Sequence, residues 1–421
     1  MKTGFLSPHV PGHLNPMAAL ARQLQSRNHE VVFITSRLAE PLVRTAGLPF
    51  ASFGEKESLS ALRENAMNRM TELSKLQGED ASRFALGIVA RRVENMWHTL
   101  PTVLAEEGVG ALVLDTYLFY SELIPRRLGM PYIHVSNALP FDWSGHTPLC
   151  LYGWPHETTP AAVRRNREGI ERFTGLLAGI NTGVRMEAQR LGLNVDWNDV
   201  GSTVSTLAWL TQIPEEFDFE DTNWPSQFHY TGPFHDGTGR PELDFPWEQL
   251  TGEPIVYASM GTLANGRPEI FRTIASAVGT QKKVQLVMAV GDQISQEQIG
   301  PVPSNTIIVK QAPQLELLKR SSLCITHAGL NTVLEALTQG VPQVAIPVTH
   351  DQPGVAARIA NRKTGVVTSL DKLTAAHLSE LVSEVLEDSS YRNNARRIQE
   401  AIVRSNGLSR AADLIEQAFQ L

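Results

Sequence analysis

The chain has 421 residues, enough for two domains of ordinary size that each bury a core. Hydrophobic residues make up 42% and charged residues 19%, which excludes disorder as the main state. With 37 basic against 44 acidic residues the net charge is −7, so the basic excess that nucleic acid or an anionic membrane calls for is absent. The two cysteines, Cys150 and Cys324, lie far apart and read as free thiols of a reducing compartment. Residues 1–20 carry no apolar signal core, and no run approaches 18 apolar residues. The expectation is a cytoplasmic protein without a membrane span.

Lys2 to Ser7 reads as a strand, followed by the turn Pro8 to Leu14. Asn15 is placed to cap a helix with Pro16 at its first position, and Met17, Leu20, Ala21 and Leu24 keep helical spacing. Val31 to Thr35 is the next strand, which makes an α/β beginning. His13 stands just before that expected helix, where the helix dipole disfavours an imidazolium and keeps a base available. Taken alone, such a residue is more often an idle surface histidine. Residues 56–100 are helix-like, and Met67, Met70, Phe84 and Trp97 within them are expected in the core. Ala111 to Asp115 is an apolar strand ending in an acid, suited either to orient a histidine across a cleft or to cap the next helix. Pro131 to Ser136 is a further strand. Asn137 to Glu157 is a long loop rich in Pro, Gly and aromatics, the kind of stretch that carries function. Phe119, Phe141 and Trp143 are the candidates to line a site for an aromatic or apolar acceptor, although core packing explains such residues equally well. Residues 160–192 read as helix and Thr203 to Leu210 as strand.

The stretch from Tyr230 to Pro254 lacks periodicity and is rich in turn residues, which marks a domain boundary. The expected division is residues 1–232, a linker at 233–253, a second domain at 254–404, and a terminal helix at 405–421. The second domain starts with the strand Ile255 to Ser259, the small-residue turn Met260-Gly261-Thr262 and a helix from about Pro268. Val284 to Val290 and Thr306 to Val309 supply further strands.

The most informative stretch is Gln311 to Gln352. Pro313 to Arg320 reads as a helix, Leu323 to Thr326 as a buried parallel strand, and His327 to Thr332 as a turn opening a second helix. Gly340 ends that helix and Val344 to Pro347 is the next strand. A strand, a turn of small residues and a helix N-terminus form an anion site, because the first N–H groups have no internal partner and the dipole favours negative charge. His327, Asn331 and Thr332 add donors there. Glu335, one turn further on, would repel a phosphate but suits the hydroxyls of a ribose. Asp351 and Gln352 follow the next strand at its carboxyl end and suit the hydroxyls of a sugar.

Ala312-Pro313-Gln314, His327-x-Gly329-x-Asn331-Thr332, Glu335, Gly340-Val341-Pro342 and Asp351-Gln352 together resemble the signature box of the family 1 glycosyltransferases. The resemblance implies the GT-B fold, two doubly wound α/β domains facing across a cleft, the second holding a nucleotide-diphospho-sugar and the first an acceptor. It implies His327, Asn331 and Thr332 on the diphosphate, Glu335 on the ribose, and Asp351 with Gln352 on the sugar. Gln311, Ala312, Gln314, Gly329 and the loop of Ser259, Gly261 and Thr262 fall at donor-binding positions. The turn Gly12-His13-Leu14-Asn15-Pro16 matches the family's catalytic histidine turn, with Asp115 as its partner. Gln311 stands where plant members carry Trp, and Ala328 and Leu330 flank the glycine in place of Cys and Trp, which points to a bacterial type. In the GT-B fold the last helix returns to the first domain.

The implied reaction is an inverting transfer without a metal or other cofactor, with a uridine- or thymidine-diphosphate sugar as co-substrate and glucose the favoured sugar. No Asp-x-Asp is present, and Asp218-Phe219-Glu220-Asp221 is a poor substitute for one. His9 and His13 stand at i, i+4 on a proline-broken turn and do not suggest zinc. Neither a Gly-x-Ser-x-Gly elbow nor a Gly-x-x-x-x-Gly-Lys loop occurs. Two rivals are a sugar-nucleotide epimerase of the same fold and a catalytically silent binding partner; the His13–Asp115 pair argues against both. Acceptor identity, regiospecificity and a monomer or weak dimer are not encoded in any pattern.

Overall fold

A computed structural model describes the chain except residues 55, 56, 77, 198, 200, 239–241 and 263–265, and the side chains of 74, 78, 82, 90–92, 94, 179 and 180. Two all-parallel sheets organise it. The first comprises β1 (Lys2–Leu6), β2 (Val31–Thr35), β3 (Phe50–Ser52), β4 (Val109–Asp115), β5 (Tyr132–Ser136), β6 (Trp209–Thr211) and β7 (Phe228–Tyr230). Their spatial order is β3-β2-β1-β4-β5-β6-β7. The second comprises β8 (Ile255–Ser259), β9 (Gln285–Ala289), β10 (Thr306–Val309), β11 (Ser321–Thr326), β12 (Gln343–Ala345) and β13 (Gly365–Val367), in the order β10-β9-β8-β11-β12-β13. Helices cover both faces of each sheet, which is why strands such as β2 and β8 are buried at every position. Each sheet reverses its strand order once, between β1 and β4 and between β8 and β11. Those two reversals are where a doubly wound sheet opens a crevice at its carboxyl edge.

The fold is the α/β GT-B arrangement expected from the resemblance, with local corrections. The first helix runs Pro11–Ser26 and starts five residues earlier than expected, at Pro11 and not Pro16, because Val10 is extended and Pro11 carries the preset φ of a first position. Pro16 therefore lies inside the helix, where it removes the N–H that would bond the Gly12 carbonyl. The stretch 203–208 is not strand. Ser205 Oγ accepts from Leu207 N–H at 3.0 Å and donates to the Tyr132 carbonyl at 2.6 Å, a local turn that competes with a ladder. β12 stops at Ala345, just before Pro347 withholds its donor. The helical stretch 56–100 is two helices, Leu59–Ser74 and Gly78–Glu106, with residues 56 and 77 outside the described ones. Trp97 is buried there, but Met67 is 59% exposed on the first of the two.

The last helix, Gly407–Phe419, lies on the first domain. Ala411, Ala412, Ile415 and Phe419 share a core with Leu20 and Leu24, and Arg27 binds Asp413 and Glu416 at 2.6 and 2.9 Å. Residues 239–241 of the expected linker lie outside the described ones. Among the described residues no helix is long and apolar enough to cross a membrane.

Candidate active site

The two switch points carry the chemistry-bearing residues. His13 is the third residue of the helix that follows β1, and Asp115 is the last residue of β4, so the strand reversal brings them together across 102 positions of sequence. His13 Nδ1 lies 2.8 Å from Asp115 Oδ2. Asp115 is fully buried; its Oδ2 also accepts from Asn137 Nδ2 at 2.7 Å and its Oδ1 from Tyr117 N–H at 2.8 Å. A carboxylate can only accept, so Nδ1 of the histidine carries the hydrogen and donates it to the Asp115 hydrogen bond, which assigns the tautomer with its lone pair on Nε2. That is the state a general base needs.

On the second sheet, Ser259 ends β8 and His327 follows β11. The His327 ring is wedged between two loops: a Cβ on Gly261 or on Gly329 would stand 2.4 Å from its Nε2. Gly261 also has φ +72°, so both the space and the backbone demand glycine there. Burial pushes His327 down to about 4, with His350 adding to the fall and a backbone contact at Ser259 opposing it. His350, in the left-handed region at φ 57°, is pushed to about 4 by burial and then by His13. The two rings are neutral at pH 7. The helix Leu330–Thr338 begins at Gly329 with no side-chain cap, so its first N–H groups face the crevice as donors to an anion.

Behind that helix end, Glu335 is 2% exposed and accepts from Gln314 Nε2 at 2.6 Å, while Gln314 Oε1 accepts from the buried Tyr257 hydroxyl at 2.9 Å. Thr332 lies at the edge of this relay, 3.5 Å from Gln314 Nε2. Ala312 packs into the adjoining core, whereas Gln311 is exposed and donates to Asp292 at 3.2 Å. Ser259 is nearly buried and accepts from Gly261 N–H at 3.4 Å; Thr262 is exposed. Gln352 Oε1 accepts the N–H groups of Val348 and Thr349 at 2.8 and 2.9 Å, fixing that side chain. Asp351 Oδ2 accepts Leu139 N–H from the first domain at 3.1 Å; burial raises its carboxyl and that N–H partly offsets the rise.

Asn331 bridges the two domains. Its Nδ2 donates to the Gly12 carbonyl left open by Pro16, and its Oδ1 accepts from Gln212 Nε2 at 2.7 Å. Each end of the amide thus makes one hydrogen bond that ties the two domains together. Asn137 Oδ1 and Thr349 Oγ1 are buried polar atoms without a hydrogen-bond partner, one on each side of the same crevice.

An aromatic row leads away from the histidine. Tyr117 lies 5.0 Å from the His13 ring, Phe141 5.5 Å from Tyr117, and Trp143 and Phe173 stack on Phe141 at 5.2 and 5.5 Å. Phe119 joins the row 5.9 Å from Phe141. Phe141 is 6% exposed and forms the backing, whereas Phe119 and Trp143 are half-buried and offer surface. Tyr117, Asn137, Phe173, Gln212 and Tyr257 were not singled out from sequence. Asn137 opens the aromatic loop directly after β5, a strand-end position that was the available signal; the others carry none.

Residues 196–403 match the family model described as UDP-glucoronosyl and UDP-glucosyl transferase. A zeaxanthin glucosyltransferase of Pantoea ananas is 26% identical over 98% of this chain and 95% of its own length. The calicheamicin glycosyltransferase CalG4 superposes with a TM-score of 0.76 at 22% identity, covering 100% of this chain and 98% of that one. The spinosyn rhamnosyltransferase SpnG complexed with thymidine diphosphate gives 0.69 at 18% identity, covering 98% and 100%. Among the described residues, no group of three His, Cys, Asp or Glu side chains is placed to hold a metal ion. The box from Gln311 to Gln352, the family match over residues 196–403 and the two-sheet fold agree with the resemblance to the family 1 glycosyltransferases: the chain has the GT-B fold and is a glycosyltransferase.

Proposed function

We propose that this enzyme moves a sugar, glucose before others, from a nucleotide-diphospho-sugar to a hydroxyl of a small apolar or aromatic acceptor, with inversion and without a metal or other cofactor. The observation that carries it is the His13–Asp115 hydrogen bond at one switch point, facing the uncapped helix end at the other. His13 Nε2 takes the acceptor's O–H proton, and the oxygen attacks the anomeric carbon from the face opposite the diphosphate as the bond from that carbon to the diphosphate oxygen breaks. The charge that builds on the departing diphosphate meets the N–H groups of the Leu330–Thr338 helix, the Thr332 hydroxyl and the neutral His327 ring. Glu335, steadied by Gln314 and Tyr257, takes the ribose hydroxyls. Asp351 and Gln352 take those of the sugar. Holding both substrates in line supplies much of the remaining acceleration. Residues 1–232 would carry the acceptor, 254–404 the donor, with 233–253 joining them and 405–421 packed back on the first domain, in a cytoplasmic protein.

Glucose is favoured by the similarity to a zeaxanthin glucosyltransferase, whose name also fits a long apolar acceptor beside the Tyr117–Phe141–Trp143 row. Exposed Gln311 at the position of the plant stacking residue, and a structural neighbour that holds thymidine diphosphate, support a thymidine-diphosphate donor as a second reading. The test is a panel of uridine- and thymidine-diphosphate sugars with a promiscuous phenolic acceptor and chelator, read by mass. A new glycoside in chelator supports metal-free transfer and names the donor. Conversion of one donor to its epimer without transfer would replace this reading with the isomerase.

A further inference from the structure

The acidic loop dismissed above as a metal motif has a different occupation. Asp218 is fully buried and Arg358 is 2% exposed, and they meet across the domain boundary. Arg358 Nε and Nη2 lie 2.8 and 2.7 Å from Asp218 Oδ1, and its guanidinium centre sits 4.3 Å above the Phe219 ring. Asp218 Oδ2 accepts from the Tyr230 hydroxyl at 2.7 Å and the Trp224 indole at 3.2 Å. The Asp218 carbonyl accepts from Arg362 Nε at 2.8 Å, and Arg362 reaches Glu220 at 2.9 Å.

Arg358 and Arg362 belong to one helix, Gln352–Asn361 and its C-terminal cap. The first turn of that helix is tied to the same domain: Gly354 N–H donates to the Cys150 carbonyl at 2.9 Å, and Asp351 at the cap takes Leu139 N–H. Arg358 Nη1 also returns to the Gly354 carbonyl at 3.1 Å, which couples the buried pair to that first turn. Burying two charges costs desolvation that an apolar pair of the same size avoids, so stability is a poor reason for this arrangement. What the guanidinium supplies is a fixed register, because two of its nitrogens converge on one carboxylate oxygen while a third holds the Gly354 carbonyl.

We propose that the Asp218–Arg358 pair is a positioning latch. It holds the Gln352–Asn361 helix in the one register that aims Asp351 and Gln352 at the sugar being transferred, and so governs turnover and not nucleotide affinity. The assignment of Asp351 and Gln352 to the sugar rests on the proposed function; the latch itself does not.

The test is the double variant Asp218→Leu with Arg358→Met, which removes both charges without leaving one unpaired, alongside Arg358→Lys. Hydrogen exchange on the full chain reads the latch without activity. The amides of Leu139 and Gly354 should lose protection at least tenfold, while those of the Leu330–Thr338 helix keep it. Unchanged protection at both amides overturns the latch. In parallel, kcat at saturating donor should fall about 10–100-fold, the scale of a misplaced reacting group, with the Kd for uridine or thymidine diphosphate moving less than threefold. Lost protection with an unchanged kcat overturns the positioning role. A wild-type chain that transfers no sugar in the donor panel defeats the proposed function, while the exchange result still decides the latch.

Discussion

Under the proposed function the two sides of the crevice solve different recognition problems with the same sheet topology. On the proposed reading the second-domain side holds the donor with a helix end, two glycines pressed on His327, and a Tyr257–Gln314–Glu335 relay, all but Gly261 and Tyr257 within one stretch of about forty residues. On the same reading the first-domain side offers a surface: a buried carboxylate orienting one histidine, then an aromatic row drawn from the turn after β4, the 137–157 loop and the Pro160–Arg190 helix. A diphosphate is a fixed chemical target and can be met by a fixed local motif. An apolar acceptor has no such code, and its wall is assembled from distant segments. The halves should therefore fail separately when mutated.

The largest separation comes from Asp115→Asn, which leaves the geometry but no longer fixes the His13 tautomer. Turnover should drop about 10²–10⁴-fold, the worth of a positioned general base, with nucleotide affinity unchanged by calorimetry. Equal losses in both would erase the distinction. Gly329→Ala is its counterpart on the other side: a methyl 2.4 Å from His327 Nε2 displaces that ring, and overpacking of about 1–3 kcal/mol should appear as weaker diphosphate binding. Retained nucleotide affinity would remove His327 from the donor site. A milder change, Trp143→Ala, should raise KM for an aromatic acceptor several-fold, as loss of a stacking pair worth about 0.5–1.5 kcal/mol implies, with the donor KM untouched.

The smallest effect concerns pH. His327 and His350 sit near 4 in the folded chain, so between about 6.5 and 4 the unfolded chain binds protons that the folded chain refuses, and stability falls as pH falls. In the first domain His134 is likewise pushed to about 4 by burial, but Glu122 beside it is pushed up to about 7, also by burial. A raised carboxyl contributes stability at low pH that is lost as pH rises through 7, so its slope opposes that of His134. The acid sensitivity should then belong to the cleft histidines. Replacing His327 and His350 with Gln and Asn should flatten the fall of Tm between pH 6.5 and 4.5, and an undiminished fall would place it elsewhere.

The difference between the halves also explains what could be read from sequence. The strands from β8 to β11 and the box were legible because each is contiguous and periodic, and because a helix N-terminus after a strand has one chemical meaning. Asp115 was legible as a strand-end residue and His13 as one at a helix N-terminus, but only the family resemblance made them a catalytic pair. The start of the first helix was misplaced because two prolines, Pro11 and Pro16, both suit a first position, and the choice depends on Asn331 replacing the donor that Pro16 lacks. Asn331 itself was assigned by its neighbours in the box, whereas its partners Gly12 and Gln212 come from another domain. Tyr117, Phe173 and Asp218 act through contacts at long sequence separation and leave no local pattern. Ser205 bonded its own turn in place of the expected strand, a choice that periodicity does not register.

The central claim is that proton removal resides on one side of the crevice and donor binding on the other. It is tested most directly with His13→Ala, by titrating the nucleotide diphosphate into the variant and measuring glycoside formation in the same preparation. Nucleotide affinity should stay within about twofold of the parent chain and turnover should fall by at least the roughly 10²-fold worth of a general base. Substantial transfer by His13→Ala, or loss of nucleotide binding in step with turnover, would contradict it.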